Sequence, residues 1–194
     1  MYDESLEGRT VICWPSDSGK DLALILMKFI QETNKSGSIV QSKLEEIGFN
    51  AVDFSNCRLA PADCTAVVHF IKRVEQISLI SLSGNNIGSL GCVEIVKLFD
   101  NANCQLRGLN LSGNNIGDEG VKQLSNGLAN SQLSSLNLAE NNITDEGVKH
   151  LSNVLVHNNK LRWLCLFDND EITNEAREQI RQANPNCKVL IEIV

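Results

Sequence analysis

The chain has 194 residues, a formal net charge of -7 and a sequence pI near 5.0. This length is sufficient for one domain with its own hydrophobic core. The acidic balance argues against a nucleic-acid-binding protein, because such proteins neutralise phosphates with clustered Lys and Arg. No segment approaches the roughly 20 consecutive apolar residues that a membrane-spanning helix requires.

The first 48 residues contain no internal repeat and are predicted to form an N-terminal cap. We expect a strand over residues 10–14, an amphipathic helix over residues 20–31 and a short helix over residues 43–47. Such a cap covers the apolar end of a repeat array with polar residues.

An internal repeat occupies residues 49–194. Two copies, at 106–116 and 133–143, both read LxxLxLxxNxI. The same frame fits copies that start at 49, 77 and 161, and a partial copy at 189. The alternating LxL segment predicts a short strand with one buried face, and the second half of each copy has apolar residues at helical spacing, such as Val121, Leu124 and Leu128. The copies are expected to stack, because one strand and one helix cannot bury their apolar faces alone.

This pattern resembles the leucine-rich repeat, in its ribonuclease-inhibitor-like class of about 28 residues per repeat. The resemblance implies an α/β solenoid, a horseshoe arc of about five repeats plus caps, with a parallel sheet on the concave face and helices on the convex face. It also implies a ladder of asparagines that bond the turn backbone of neighbouring repeats: Asn85, Asn114, Asn141 and Asn169. Cys57 occupies the first ladder position, where it can do this only weakly.

Two local details are predicted near the ends of the repeats. Thr144 and Asp118 follow the last apolar residue of the repeat frame and are expected to cap their helices. Residues 188–194 are expected to form a final edge strand. Glu192 falls where the frame requires an apolar residue, so either the register shifts there or the charge discourages further strand pairing.

No residue pattern predicts catalysis, a cofactor or a metal. Residues 14–21 lie in the setting of a phosphate-binding loop, but Trp14 replaces its first Gly and Asp21 replaces its Ser/Thr, so a turn is the preferred interpretation. Residues 168–171 lack the Gly-punctuated spacing of a calcium loop. Seven cysteines without a CxxC pair indicate free thiols in a reducing compartment and no zinc site.

The strand positions outside the core and the ladder are predicted to line the concave face. On the first four repeat strands these side chains are small and mostly polar. The last of the five strands carries two aromatic residues, a type that is enriched at binding hot spots. The predicted partner-binding residues are Trp163, Phe167, Cys165, Asn137, Asn110, Leu79 and Asp53. The alternatives are that a C-terminal cap covers the aromatic pair or that the pair forms a contact between two copies.

The resemblance implies a non-enzymatic module that binds another protein on its concave face, with no cofactor and no nucleic-acid or membrane partner. A monomer or weak homodimer is expected. The free thiols, and an acidic start where a signal peptide would be basic, favour a cytoplasmic protein, such as a NOD-like-receptor-type sensor domain of innate immunity. A regulator that activates a Ran-type GTPase and a bacterial effector that uses the repeat as a binding scaffold are the alternatives.

Overall fold

The structure, a computed structural model, describes residues 11–13, 50–74, 76–100 and 104–191. Within these ranges, seven short strands form one parallel sheet in which each strand pairs only with its neighbours in the chain. This open sheet confirms the predicted α/β solenoid. The strands are β1 (Val11–Cys13), β2 (Ala51–Asp53), β3 (Leu79–Ser81), β4 (Gly108–Asn110), β5 (Ser135–Asn137), β6 (Trp163–Cys165) and β7 (Lys188–Leu190).

Five α-helices lie between these strands in the described part of the chain, and each packs against the next. The predicted contact residues Val121, Leu124 and Leu128 are completely buried, so the apolar stripe of the helix faces the sheet. The helices are α1 (Cys64–Arg73), α2 (Gly88–Ile95), α3 (Gly117–Leu128), α4 (Asp145–Leu155) and α5 (Asn174–Ala183), with 3-10 turns at Pro61–Asp63 and Val96–Leu98.

The register of strands β2 to β6 follows the repeat frame. The central residue of each strand pairs with the central residue of the next, and all of these residues are buried: Val52, Ile80, Leu109, Leu136 and Leu164. Because the same position faces the core in every repeat, the side chains form a continuous apolar column inside the solenoid.

The last copy does not start at residue 189, because the register shifts in the last repeat, which is the first of the two alternatives given for Glu192. Val189 pairs with Leu164, and it is three residues earlier than the repeat frame requires. Val189 and Ile191 are buried and fill the positions that Leu164 and Leu166 occupy one repeat earlier. The shift satisfies the core, which needs an apolar residue beside Leu164, and Glu192 lies outside the described residues.

The structure describes only residues 11–13 of the predicted N-terminal cap. Strand β1 pairs in parallel with β2, with Ile12 beside Val52, so the sheet begins before the first repeat. The predicted helices over residues 20–31 and 43–47 lie outside the described residues, as do residues 14–21.

Asn141 shows how the ladder holds two repeats together. Its side-chain oxygen accepts hydrogen bonds from the backbone N–H groups of Asn114 (3.0 Å) and Ile116 (3.3 Å). Its amide nitrogen donates to the carbonyl oxygens of Leu111 (2.9 Å) and Ala139 (2.8 Å). Asn141 itself is completely buried, so one side chain satisfies four backbone groups at a site that water does not reach.

The other ladder positions bond the same kinds of backbone groups. Asn114 and Asn169 are buried and link their repeats to the preceding one. Asn85 accepts from the backbone N–H of Leu59 at 2.9 Å. Cys57 replaces the amide with a thiol, which donates a weak bond to the carbonyl of Ser55 at 3.5 Å.

Asp118 does not cap its own helix, which corrects the prediction for this residue. Helix α3 begins at Gly117, and Asp118 lies in its first turn. The Asp118 carboxylate instead accepts from the next repeat: from the Thr144 N–H (2.9 Å), the Thr144 hydroxyl (2.7 Å) and the Gly147 N–H (3.0 Å). Thr144 caps α4 as predicted, because its hydroxyl accepts from the Glu146 N–H at 3.3 Å.

The same clamp joins the following pair of repeats. Asp145 accepts hydrogen bonds from the N–H and the hydroxyl of Thr173, both at 2.8 Å. Thr173 in turn caps α5. The clamp therefore forms a second inter-repeat ladder, on the edge where the helices begin, and its acidic members also complement the positive ends of the helix dipoles.

Several thiols are part of the core. Cys64 and Cys92 are buried at equivalent positions of α1 and α2. Burial raises the pKa of each thiol to about 12. Every cysteine for which the structure describes the side chain is free.

We predict that Asn141→Ala lowers the free energy of unfolding by about 2–4 kcal/mol, because it leaves several buried backbone groups without partners. Urea denaturation followed by circular dichroism measures this loss. Asn153→Ala, at an exposed position of α4, is the matched control and should change stability by no more than about 0.5 kcal/mol. Equal stability of the two variants would contradict the ladder's role.

Thr144→Val keeps the β-branched shape but removes the hydroxyl that caps α4 and donates to Asp118. We expect a loss of about 1–2 kcal/mol in the same denaturation experiment. Thr65→Val is the control, since the Thr65 hydroxyl makes one exposed bond to Glu94. A loss for Thr144→Val no larger than that of the control would show that the clamp contributes nothing.

Cys64 and Cys92 should resist alkylation while the chain is folded. With a pKa of about 12, only about one thiol in ten thousand is ionised at pH 8, and burial excludes the reagent as well. Iodoacetamide labelling read by mass spectrometry should modify half-buried Cys104 first and reach Cys64 and Cys92 only in urea. Labelling of all three at one rate in the folded chain would contradict this packing.

Candidate functional site

The concave face carries three rows of side chains that run across the strands. The strand register places the predicted binding residues in two of these rows, and the turns that follow the strands supply the third. One row is Ala51, Leu79, Gly108, Ser135, Trp163 and Lys188, and the next is Asp53, Ser81, Asn110, Asn137, Cys165 and Leu190.

The three polar residues predicted to bind a partner already bond their own turns. Asp53, Asn110 and Asn137 each accept a hydrogen bond from the backbone N–H two residues later, at 2.8, 3.0 and 3.0 Å. This arrangement is an Asx turn, which holds the chain where it leaves the strand. One side-chain oxygen of each residue is therefore committed to the fold, and all three residues are half-buried.

The N-terminal half of the concave face also bonds to itself. The hydroxyls of Ser55 and Ser81 lie 2.6 Å apart, and Ser83 donates to Ser55 at 3.0 Å. Leu79 is half-buried and leans over Gly108 so closely that a side chain at Gly108 would collide with it. Leu79 is thus placed to pack on the neighbouring strand, and this half offers few unused groups to a partner.

Trp163 differs from the rest of this surface. Its side chain is 48% exposed at the first position of β6. The ammonium group of Lys188 lies 4.8 Å from the centre of the indole ring, within the range of a cation–π interaction. The described part of β7 lies beside β6 and leaves nearly half of the surface of Trp163 exposed.

Cys165 and Phe167 are half-buried next to Trp163 on the same strand and turn. Burial raises the pKa of the Cys165 thiol, and the nearby Asp168 carboxylate raises it further. A thiol with a raised pKa is a poor nucleophile, so Cys165 is suited to packing. We refer to Trp163, Cys165 and Phe167 as the aromatic patch.

Among the described residues, the charged side chains at the two edges of the solenoid differ in sign. The edge where strands end and helices begin is acidic, with Arg58 as a basic exception. The opposite edge is basic, with Asp100 as an acidic exception. The acidic edge contains Asp63, Asp118, Glu119, Glu140, Asp145, Glu146, Asp168, Asp170, Glu171 and Glu175, and the basic edge Lys72, Arg73, Arg107, Lys160, Arg162, Arg181 and Lys188.

The basic edge was not predicted from the sequence, although a signal for it exists. Arg107 and Arg162 occupy the same column of the repeat, directly before a strand. The repeat frame is defined by its apolar positions and its ladder asparagines, and the position of Arg107 and Arg162 belongs to neither group. Comparing the charged residues column by column would have identified it.

Among the residues that the structure describes, no group of three or more His, Cys, Asp and Glu side chains is placed to hold a metal ion. No helix within the described ranges has the length and apolar character needed to cross a membrane.

Comparisons with known proteins identify the repeat. The family model described as Leucine Rich repeat matches residues 102–125 and 129–152. A solved structure titled "Leiomodin-1 Actin-Binding Site 2 (ABS2)" is similar, with a TM-score of 0.58, 18% identity, and coverage of 66% of this chain and 77% of that chain. A search of curated proteins gave no match. The chain therefore contains leucine-rich repeats and has the fold of a leucine-rich repeat solenoid.

Proposed function

We propose that this chain is a non-enzymatic protein-interaction module that binds its partner at the C-terminal end of the concave face, over the aromatic patch. The exposure of Trp163 carries this proposal. The chain has only nine aromatic residues, and this one is nearly half exposed on the binding face of a solenoid. Exposed Trp side chains supply much of the binding energy at protein interfaces because they bury a large area on contact.

The internal bonding of the other concave residues supports the same location. Asp53, Asn110 and Asn137 already serve their own turns, and Leu79 packs on the neighbouring strand. A partner gains little by competing for these groups, because each contact would first have to break an existing one. These residues are proposed to border the contact, with the aromatic patch at its centre.

A protein as the class of partner is also supported by the structural comparison. The similar leiomodin-1 fragment is named for an actin-binding site. Co-sedimentation with actin filaments is therefore a direct first assay for this chain. Variants of the aromatic patch make that assay specific to the proposed surface.

Two more specific proposals concern the class of leucine-rich repeat and the cellular location of the chain. We infer a ribonuclease-inhibitor-like class, and the spacing of the core residues near 28 together with a helix in every repeat supports it. A cytoplasmic, NOD-like-receptor-type sensor role is the accompanying proposal, and the free thiols support a reducing compartment. A Ran-type GTPase regulator would instead stimulate GTP hydrolysis, which a phosphate-release assay detects.

The variant Trp163→Ala/Phe167→Ala should lower partner capture at least about tenfold, because it removes the aromatic anchors. The measurement is affinity capture with the immobilised full chain, quantified by mass spectrometry. Leu90→Ala/Val93→Ala is the matched control, since both side chains are exposed on α2, on the convex side.

Urea denaturation of both variants separates binding from stability. Because Phe167 is half-buried, Trp163→Ala alone serves as the decisive variant if the pair unfolds more readily than the control. Unchanged capture by a stably folded Trp163→Ala chain would overturn the proposed surface.

A further inference from the structure

Four exposed basic side chains lie on the edge where β4, β6 and β7 begin, the edge at which Trp163 stands. Arg162 precedes it directly, and Lys160 lies two residues earlier in the same loop. Lys188 lies over the indole ring at 4.8 Å. Arg107 is in the equivalent position to Arg162, two strands away. We refer to Arg107, Lys160, Arg162 and Lys188 as the basic rim.

Backbone hydrogen bonds fix the spacing of the rim. The Lys188 N–H donates to the Arg162 carbonyl (2.8 Å), the Arg162 N–H to Ser134 (2.8 Å) and the Ser134 N–H to Arg107 (2.7 Å). Three steps between neighbouring strands span roughly 14 Å. An extended peptide covers that distance with about four residues. The rim therefore has the length of a short peptide segment laid across the strands.

The rim differs from the helix lysines in its lack of acidic partners. Lys97, Lys122 and Lys149 each contact a Glu one turn earlier on their helix, at 2.6, 3.3 and 3.4 Å. Within the described residues, no rim side chain forms an ion pair; Arg107 only donates to the carbonyl of Gln132, at 3.3 Å. The rim thus keeps its positive charge available beside the aromatic patch.

The charge of the whole chain limits which anion can use this rim. The formal net charge is -7, and the opposite edge is acidic. A long polyanion or a charged membrane surface would face repulsion beyond the rim, since unscreened charges act over a Debye length of about 8–10 Å. A short acidic segment fits within the positive region alone. Its carboxylates can meet the planar donors of Arg107 and Arg162, which suit bidentate contacts.

We propose that the basic rim and the aromatic patch together bind an acidic segment of a protein partner. An apolar side chain of that segment packs on Trp163, and flanking carboxylates pair with Arg162 and Lys188 on one side and Arg107 on the other. Lys188 is already held over the indole ring, so it needs little ordering to receive a carboxylate. This inference rests on the proposed function and names the chemistry of its partner.

Selection from a random dodecapeptide library displayed on phage tests the proposal with the full chain as bait. Enriched peptides should carry a net negative charge and at least one large apolar residue. A synthetic copy of the most enriched peptide, followed by fluorescence anisotropy, should lose affinity as salt is raised. Lys160→Glu/Arg162→Glu should weaken it by roughly fivefold or more.

Lys122→Glu/Lys149→Glu is the matched control, because it changes the net charge by the same amount on α3 and α4. This variant should bind the peptide within about twofold of the unmodified chain, since its substitutions lie away from the rim. An equal loss in both variants would attribute the effect to net charge and overturn the rim as the site.

Three further results would also overturn the inference. These are enrichment of neutral or basic peptides, no enrichment over the bare support, and tighter binding of a single-stranded oligonucleotide or phosphatidylserine vesicles than of the peptide. Failure of the proposed function is recognised separately. If Trp163→Ala leaves partner capture unchanged, the surface itself is wrong, whereas capture that depends on Trp163 but not on Arg162 refutes only the acidic partner.

Discussion

The structure depends on satisfying backbone groups at the point where each repeat turns from strand to helix. The turn is buried between neighbouring repeats, so water cannot serve its N–H and C=O groups. In four of the repeats an asparagine does so instead. Asn141 satisfies four such groups: the N–H groups of Asn114 and Ile116 and the carbonyl of Leu111 in the preceding repeat, and the carbonyl of Ala139 in its own repeat. The turn and the attachment of each repeat to the preceding one at this edge depend on this bonding.

The repeat frame predicted the sheet from β2 to β6, because one residue in each copy must face the same core. It left two alternatives open for the end of the sheet, of which the structure shows the register shift of β7, and it did not predict the role of Asp118. Val189 pairs with Leu164 because the core needs an apolar residue there, and the spacing of residues along the sequence does not reveal this requirement. The partners of Asp118 lie 26 and 29 residues away, so its contacts exist only once the repeats stack. The alternation along each strand predicted which residues lie on the concave face. It did not predict that Asn110 and Asn137 form Asx turns, because these bonds depend on backbone geometry at the ends of the strands.

Two demands compete for the polar side chains of the concave face. The fold uses Asn110 and Asn137 to hold the turns, and the serines near β2 and β3 bond one another. What is left for recognition is concentrated near β6, where an exposed indole lies among unpaired cations in the described part of the chain. In the proposed function, apolar contact at this surface is the source of affinity, and the charges are the source of selectivity and of a faster encounter.

The inter-repeat bonds have a consequence for how the chain can change in length. Each ladder amide and each Asp–Thr clamp reaches only into an adjacent repeat, so the free energy is a sum of single-repeat and nearest-neighbour contributions. If a repeat from the middle of the array were duplicated, each copy would have neighbours that offer the same hydrogen-bonding groups as the original neighbours do. The array can therefore gain or lose whole repeats while the packing inside each remaining repeat stays the same. The strands between Arg107 and Lys188 would keep their spacing in a chain with additional repeats before them.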